Sequence, residues 1–253
     1  MKELGYFFRA VMFLTIVPTP QTENIEPDWL PHSVRYFPLV GLLVGVLSAA
    51  VLLFASQVWT GVLPALLAVA ASALVTGAFH EDGLADTVDS LGGYSREARL
   101  LIMTDSRIGT YGALALGFCV ALRVAALAAL PPLVAAFALI AAHAGARFAA
   151  MVVMTLLPYA KNPADGKVAH AKEPPSAAEY RPAIVFVLLA AAPLALTAPV
   201  ALGAAAIAGA VLAAGLARLA RRLIDGYTGD VLGATEQLFE VGFLLAVAAV
   251  ISV

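Results

Sequence analysis

Residues Gly61 to Phe79, GVLPALLAVAASALVTGAF, run without a break into His80 to Asp89, HEDGLADTVD. The first stretch has no charged residue and, as a helix rising 1.5 Å per residue, is about long enough to cross a hydrocarbon core of roughly 30 Å. The second holds Glu81, Asp82, Asp86 and Asp89 with no Lys or Arg among them. A greasy run ending in a knot of acids predicts a membrane span that delivers carboxylates to the bilayer surface. At about 100° per residue, Asp82, Asp86 and Asp89 fall within an arc of about 60° on one helix face, and Glu81 points elsewhere.

Hydropathy elsewhere follows the same pattern. The 253 residues are 62% hydrophobic and 13% charged, with a mean hydropathy of +0.92, which excludes an ordinary soluble globule. Seven apolar runs stand out, near 38–58, 61–79, 110–130, 132–157, 183–200, 202–220 and 232–252. The expected fold is an all-α, polytopic membrane bundle of about seven transmembrane helices, forming one catalytic domain over residues 1–253. Leu4, Phe7, Phe8, Val11, Leu14 and Thr15 recur at helical spacing before Pro18-Thr19-Pro20. They predict an N-terminal amphipathic helix lying in the membrane interface beside the site, retained rather than cleaved.

All but two of the 15 Lys and Arg residues lie in alternate polar segments: around Lys2 to Arg35, Arg96 to Arg107, Lys161 to Arg181 and Arg218 to Arg222. The intervening connections near Thr60, Pro131 and Ala201 carry no charge. The positive-inside rule then places the charged segments, and the acids beside them, on the cytoplasmic side of a cell membrane. A net charge of −2 argues against nonspecific nucleic-acid binding. Cys119 is the only cysteine, so neither a disulfide nor a thiolate metal site is expected.

Oxygen-only donors such as Asp82, Asp86 and Asp89 suit a hard cation, Mg²⁺, which shares its coordination sphere with substrate phosphates. Asp105-Ser106-Arg107-Ile108-Gly109-Thr110 follows, with Asp105 as a further ligand or base and Arg107 offering paired donors to a phosphate. His80 is a candidate to position that phosphate. A second acid-and-glycine segment, Asp225 to Glu236, brings Asp230 to the same side at the start of a helix. Arg147 and His143 lie one turn apart within the fourth run, where Arg147 could reach a phosphate beneath the acids; Arg123, in the third, is expected to snorkel outward. The Pro-rich segment 158–182 reads as a flap or a plain connection.

With these residues in view, the chain resembles the cobalamin synthase family, the adenosylcobinamide-GDP ribazoletransferases. His80 to Asp89 is similar to its H-x-D-G-x-A-D-x-x-D signature. Phe13 to Pro18, Arg35 to Gly41, Asp105 to Thr110 and Thr228 to Ala234 resemble further family segments, so the likeness runs nearly end to end. One departure is Ser90-Leu91-Gly92, where the family usually has a glycine directly after the last Asp. The resemblance implies a multi-pass protein of the prokaryotic inner membrane. It would use Mg²⁺ to join adenosylcobinamide-GDP to α-ribazole or its 5′-phosphate, releasing GMP. Asp82 and Asp86 would then be metal ligands, with Asp89 or Asp105 as ligand or base. The oligomeric state, a homo-oligomer included, stays open. Two other readings compete: a CDP-alcohol phosphotransferase, whose signature has Arg where Asp86 follows Ala85, and an ion-coupled transporter, which would carry its acids at mid-membrane.

Overall fold

The computed structural model describes residues 2–20, 29–160 and 174–251, and eleven α-helices account for most of them. The amphipathic N-terminal stretch forms α1, Lys2–Leu14, whose 13 residues reach about 20 Å, too short to cross the bilayer. A short helix α2, Trp29–Ser33, leads through a 3₁₀ turn into α3, Phe37–Ala55. Then come α4, Leu63–Thr76; α5, Phe79–Asp89; α6, Arg96–Ile102; α7, Thr110–Ala128; α8, Pro132–Leu156; α9, Ala177–Thr197; α10, Pro199–Ile224; and α11, Gly229–Ile251.

Six of these segments are long and apolar enough to cross a membrane: α2 with α3, then α7, α8, α9, α10 and α11. The helix predicted to begin at Ala183 starts six residues earlier, at Ala177. The second apolar run departs most from expectation. It stops at Thr76 after 14 residues, about 21 Å, and α5 leaves it at 90°. Gly77 and Ala78 both have positive φ, 64° and 54°. Their N–H groups donate back to Leu74 and Ala73, the double closure of a Schellman ending. The next carbonyl, Val75, accepts from Ile16 N at 2.9 Å. The segment leaving α1 therefore completes the end of α4, and Phe13 sits edge-on to Phe79 at the start of α5.

The centre of the bundle is α8, covered by α3 and α11. Gly41 and Gly45 let α3 lie directly on α8: a Cβ at Gly41 would collide with the His143 carbonyl oxygen, and one at Gly45 would stand 2.7 Å from Ile140 Cα. Such small-residue spacing is how helices approach closely where lipid offers no hydrophobic drive between them. The peripheral α9 and α10 present Leu188, Leu196, Val200, Ile207 and Val211 outward, as lipid-facing surfaces do.

Candidate functional site

The charged end of the bundle is assembled around α5. Its inner side packs on α11, where Gly83 meets the backbone of Asp230 and Gly233 meets that of His80. A Cβ at Gly83 would stand 2.8 Å from the Asp230 carbonyl, so no larger residue fits the crossing unmoved. The glycines of both acid-rich motifs thus share one function, the contact of two helix backbones. Asp82 is exposed and Asp86 half-buried, one turn apart on the outward side. Asp82 makes no side-chain hydrogen bond or ion pair with any described residue.

Asp89 behaves differently. Its two oxygens accept the N–H groups of Gly109 at 2.7 Å and Gly112 at 2.8 Å, so it caps α7 from a distance and meets the positive end of that helix. Among the described residues, no three His, Cys, Asp or Glu side chains converge as a ready-made ion cage. Asp105 bonds through both oxygens to Arg107, with the closest contact 2.7 Å. This hydrogen bonding holds the Asp105 carboxyl down at about 2. The pair stands in solvent, with the Arg107 side chain 86% exposed. Asp230 accepts from Thr228 Oγ1 at 3.1 Å, and Thr228 in turn accepts from Val231 N, capping α11.

The same end is tied together by backbone and guanidinium contacts. Tyr159 and Tyr227 form a bridge, with Ala160 N donating to Tyr227 O and Tyr227 N to Pro158 O. Burial pushes the Tyr227 phenol up to about 12. Arg96 donates to the carbonyls of Ile224 and Ala160, so a residue expected only to orient the chain in the membrane also closes the end of α10. Of the Pro-rich segment, residues 161–173 lie outside the described residues. Its far end brings Glu179, buried, against His32 and Arg35.

Beneath α5 lies a layer the sequence reading did not assemble. Glu236 and Glu240, about 10 and 16 Å along α11, are both buried. Glu236 contacts His80 Nε2 and Arg147 Nε, each at 3.0 Å. Glu240 meets His143 Nδ1 at 2.7 Å, Arg123 Nη2 at 2.6 Å and Arg147 Nη1. Arg123 also donates to Gln237 at 2.9 Å, and Gln237 donates to Glu81 at 3.1 Å. Arg123 is thus 1% exposed and faces inward, against the expectation that it would snorkel. Glu81 points into this layer, whereas the sequence placed it merely off the acid stripe. Arg147 donates to Glu240 and lies within ion-pair distance of Glu236, with His143 and His80 beside its guanidinium. His80, 1% exposed, faces the same layer. The available signal was the cost of Arg123, His143 and Arg147 inside spans: each demands an acid, and Glu236-x-x-x-Glu240 stood within the last run.

A profile of the family described as cobalamin-5-phosphate synthase matches residues 6–248. The adenosylcobinamide-GDP ribazoletransferase of Leptothrix cholodnii is 43% identical over 256 residues, covering 97% of this chain and 95% of the relative. The enzyme of the same name from Shewanella frigidimarina is 38% identical, with 99% and 96% covered. That from Azorhizobium caulinodans is 44% identical, with 94% and 93% covered. No solved structure matches. With the match running from α1 into α11 and relatives covered almost whole, the chain belongs to the cobalamin-5-phosphate synthase family.

Proposed function

We propose that this protein is an adenosylcobinamide-GDP ribazoletransferase, joining adenosylcobinamide-GDP to α-ribazole or its 5′-phosphate and releasing GMP. The observation that carries the site assignment is the outward Asp82/Asp86 pair on a helix bent off its span at the charged end. In the reaction a ribose hydroxyl forms a bond to the corrinoid-side phosphorus, the P–O bond to GMP breaks, and the hydroxyl proton is lost. The leaving group is already a stable anion, and phosphoryl transfer with a loose transition state asks chiefly for positioning and charge neutralisation.

The donor set fits Mg²⁺. Asp82 is exposed and has no competing cation among the described residues, Asp86 lies one turn along, and this ion commonly takes only one or two carboxylates beside substrate phosphates. Asp82 and Asp86 would hold it; bound there, it supplies positive charge to the diphosphate oxygens. Arg107 complements that charge from the chain itself. Its bond to Asp105 is a solvent-exposed pair, and such pairs add little, so an incoming phosphate can replace Asp105 as its partner. Asp105, held near 2, is a weak base, and Asp89 has both oxygens occupied by backbone N–H groups. A late proton loss requires little of either. Asp230, half-buried at the α11 N-terminus, is assigned to substrate binding in this reading.

The charged end faces the cytoplasm of a prokaryotic cell in this reading, where a nucleotide-activated substrate is met and GMP released. Glu236 and Glu240 do not favour the transporter alternative. Each is already engaged by guanidinium groups, whereas a coupling site needs a carboxylate able to exchange its ion. Purified protein given adenosylcobinamide-GDP, α-ribazole and Mg²⁺ should release GMP and form the complete corrinoid. Absence of GMP, or accumulation of labelled substrate in sealed vesicles without it, would contradict the assignment. A single Cys at Gly92 should label from the cytoplasmic side, and one at Thr60 from the opposite side.

A further inference from the structure

The α4–α5 break raises a mechanical question. With two consecutive positive-φ residues at a 90° bend, α5 inherits no stiffness from the span before it. Its aim must come from what its inner side touches. At its first turn, His80 lies 3.0 Å from Glu236 through Nε2 and 3.4 Å from Arg147 through Nδ1. Glu236 contacts Arg147 on the same oxygen that meets His80, and Arg147 is held from behind by Glu240 and His143. Further along, Gly83 rides on the α11 backbone. The chain of contacts thus runs from the centre of α8, through α11, to the first turn of the helix that carries Asp82 and Asp86.

We infer that His80, Glu236 and Arg147 form a clamp that fixes the rotation of α5, and that His80 and Arg147 are positioning residues rather than phosphate ligands. Two observations separate these roles. Both side chains are almost wholly buried, 1% and 2% exposed. The layer they belong to also holds three carboxylates, Glu81, Glu236 and Glu240, against two guanidiniums, Arg123 and Arg147, leaving no cation to spare for a substrate anion. A carboxylate pair one turn apart grips one ion only while its helix is held at the correct angle, as outer-shell partners hold the ligands of metal sites generally. The inference rests on the assignment of Asp82 and Asp86 as metal ligands.

The two roles predict opposite results for Glu236→Gln. If Arg147 were a phosphate ligand, relieving it of Glu236 would strengthen substrate binding and lower KM. If the clamp aims α5, the same change weakens Mn²⁺ binding by about tenfold or more, read by electron paramagnetic resonance on substrate-free protein. It also lowers kcat with KM for adenosylcobinamide-GDP nearly unchanged. His80→Gln, which keeps a polar group toward Glu236, gives the same pattern in milder form. The pair is compared at matched thermal unfolding in detergent, so that whichever variant folds decides. A raised KM for either His80→Gln or Arg147→Lys with unaltered Mn²⁺ affinity would overturn the clamp, as would a lowered KM for Glu236→Gln. Wild-type protein that binds no Mn²⁺ yet releases GMP would instead contradict the metal assignment, and the kcat and KM arm alone would then judge the clamp.

Discussion

Two pairs of acids, each four residues apart, sit on two touching helices, Asp82/Asp86 on α5 and Glu236/Glu240 on α11, and they differ in exposure. The α11 pair is buried and engaged by Arg123, Arg147, His80 and His143. On the α5 pair, Asp82 is exposed and meets no cation among the described residues. Equal spacing therefore carries unequal meaning. Inside the bilayer an acid must have its counter-charge built in, because an unpaired buried charge is prohibitively costly. At the rim an acid can keep its charge for something that arrives. In this fold the inner pair organises the structure and the exposed Asp82 is left for chemistry.

That contrast is most easily broken by stability. Glu240→Ala should leave Arg123 and Arg147 buried with too little negative charge and cost about 3–5 kcal/mol, seen as a large drop in the unfolding temperature in detergent or as loss of folded protein. Asp82→Ala in the same assay should fall within about 0.5 kcal/mol of wild type. Equal sensitivity of the two would erase the distinction.

Asp89 sharpens it, since it shares a helix and nearly a face with Asp82 yet is engaged in structure. Removing its side chain by Asp89→Ala should cost about 1–2 kcal/mol through two lost acceptors at the α7 N-terminus. Asp89→Asn, with one carbonyl oxygen left, should cost roughly half. A neutral Asp89→Ala would show that its bonds to Gly109 and Gly112 carry little weight.

The smallest effect is expected at Asp105. Arg107 depresses its pKa to about 2, so what the pair adds to stability is fully present above the ordinary value of 3.8 and lost as pH falls through about 2. Activity between pH 5 and 8 should show no limb from this group. Arg107→Ala should return the Asp105 titration toward 3.8, followed by ¹³C resonance of labelled aspartate. An unchanged midpoint would mean that the pair does not persist in solution.

Much of this was legible in sequence, for reasons that differ by region. Apolar runs report spans because the bilayer permits little else, and the acids after Phe79 stood out against a chain only 13% charged. The break at Gly77 was harder to see. Ala78 and Phe79 extend the apolar window, so hydropathy ran through a turn that the glycine alone signalled. The buried layer was harder still. Arg123, His143, Glu236 and Glu240 become neighbours only when α7, α8 and α11 pack, and pairing order is a tertiary property that helical periodicity does not encode. For that reason Arg123 was expected at the outer boundary and His80 and Arg147 at the substrate.

The most direct measurement is GMP release and thermal unfolding on one preparation of Asp82→Asn beside wild type. Turnover should fall by at least about a hundredfold while the unfolding temperature holds or rises slightly, because a charge repelled by its neighbours has been removed. Near-normal GMP release at low Mg²⁺, or unfolding as severe as that of Glu240→Ala, would contradict the claim that the outward acids do the chemistry and the inward ones hold the fold.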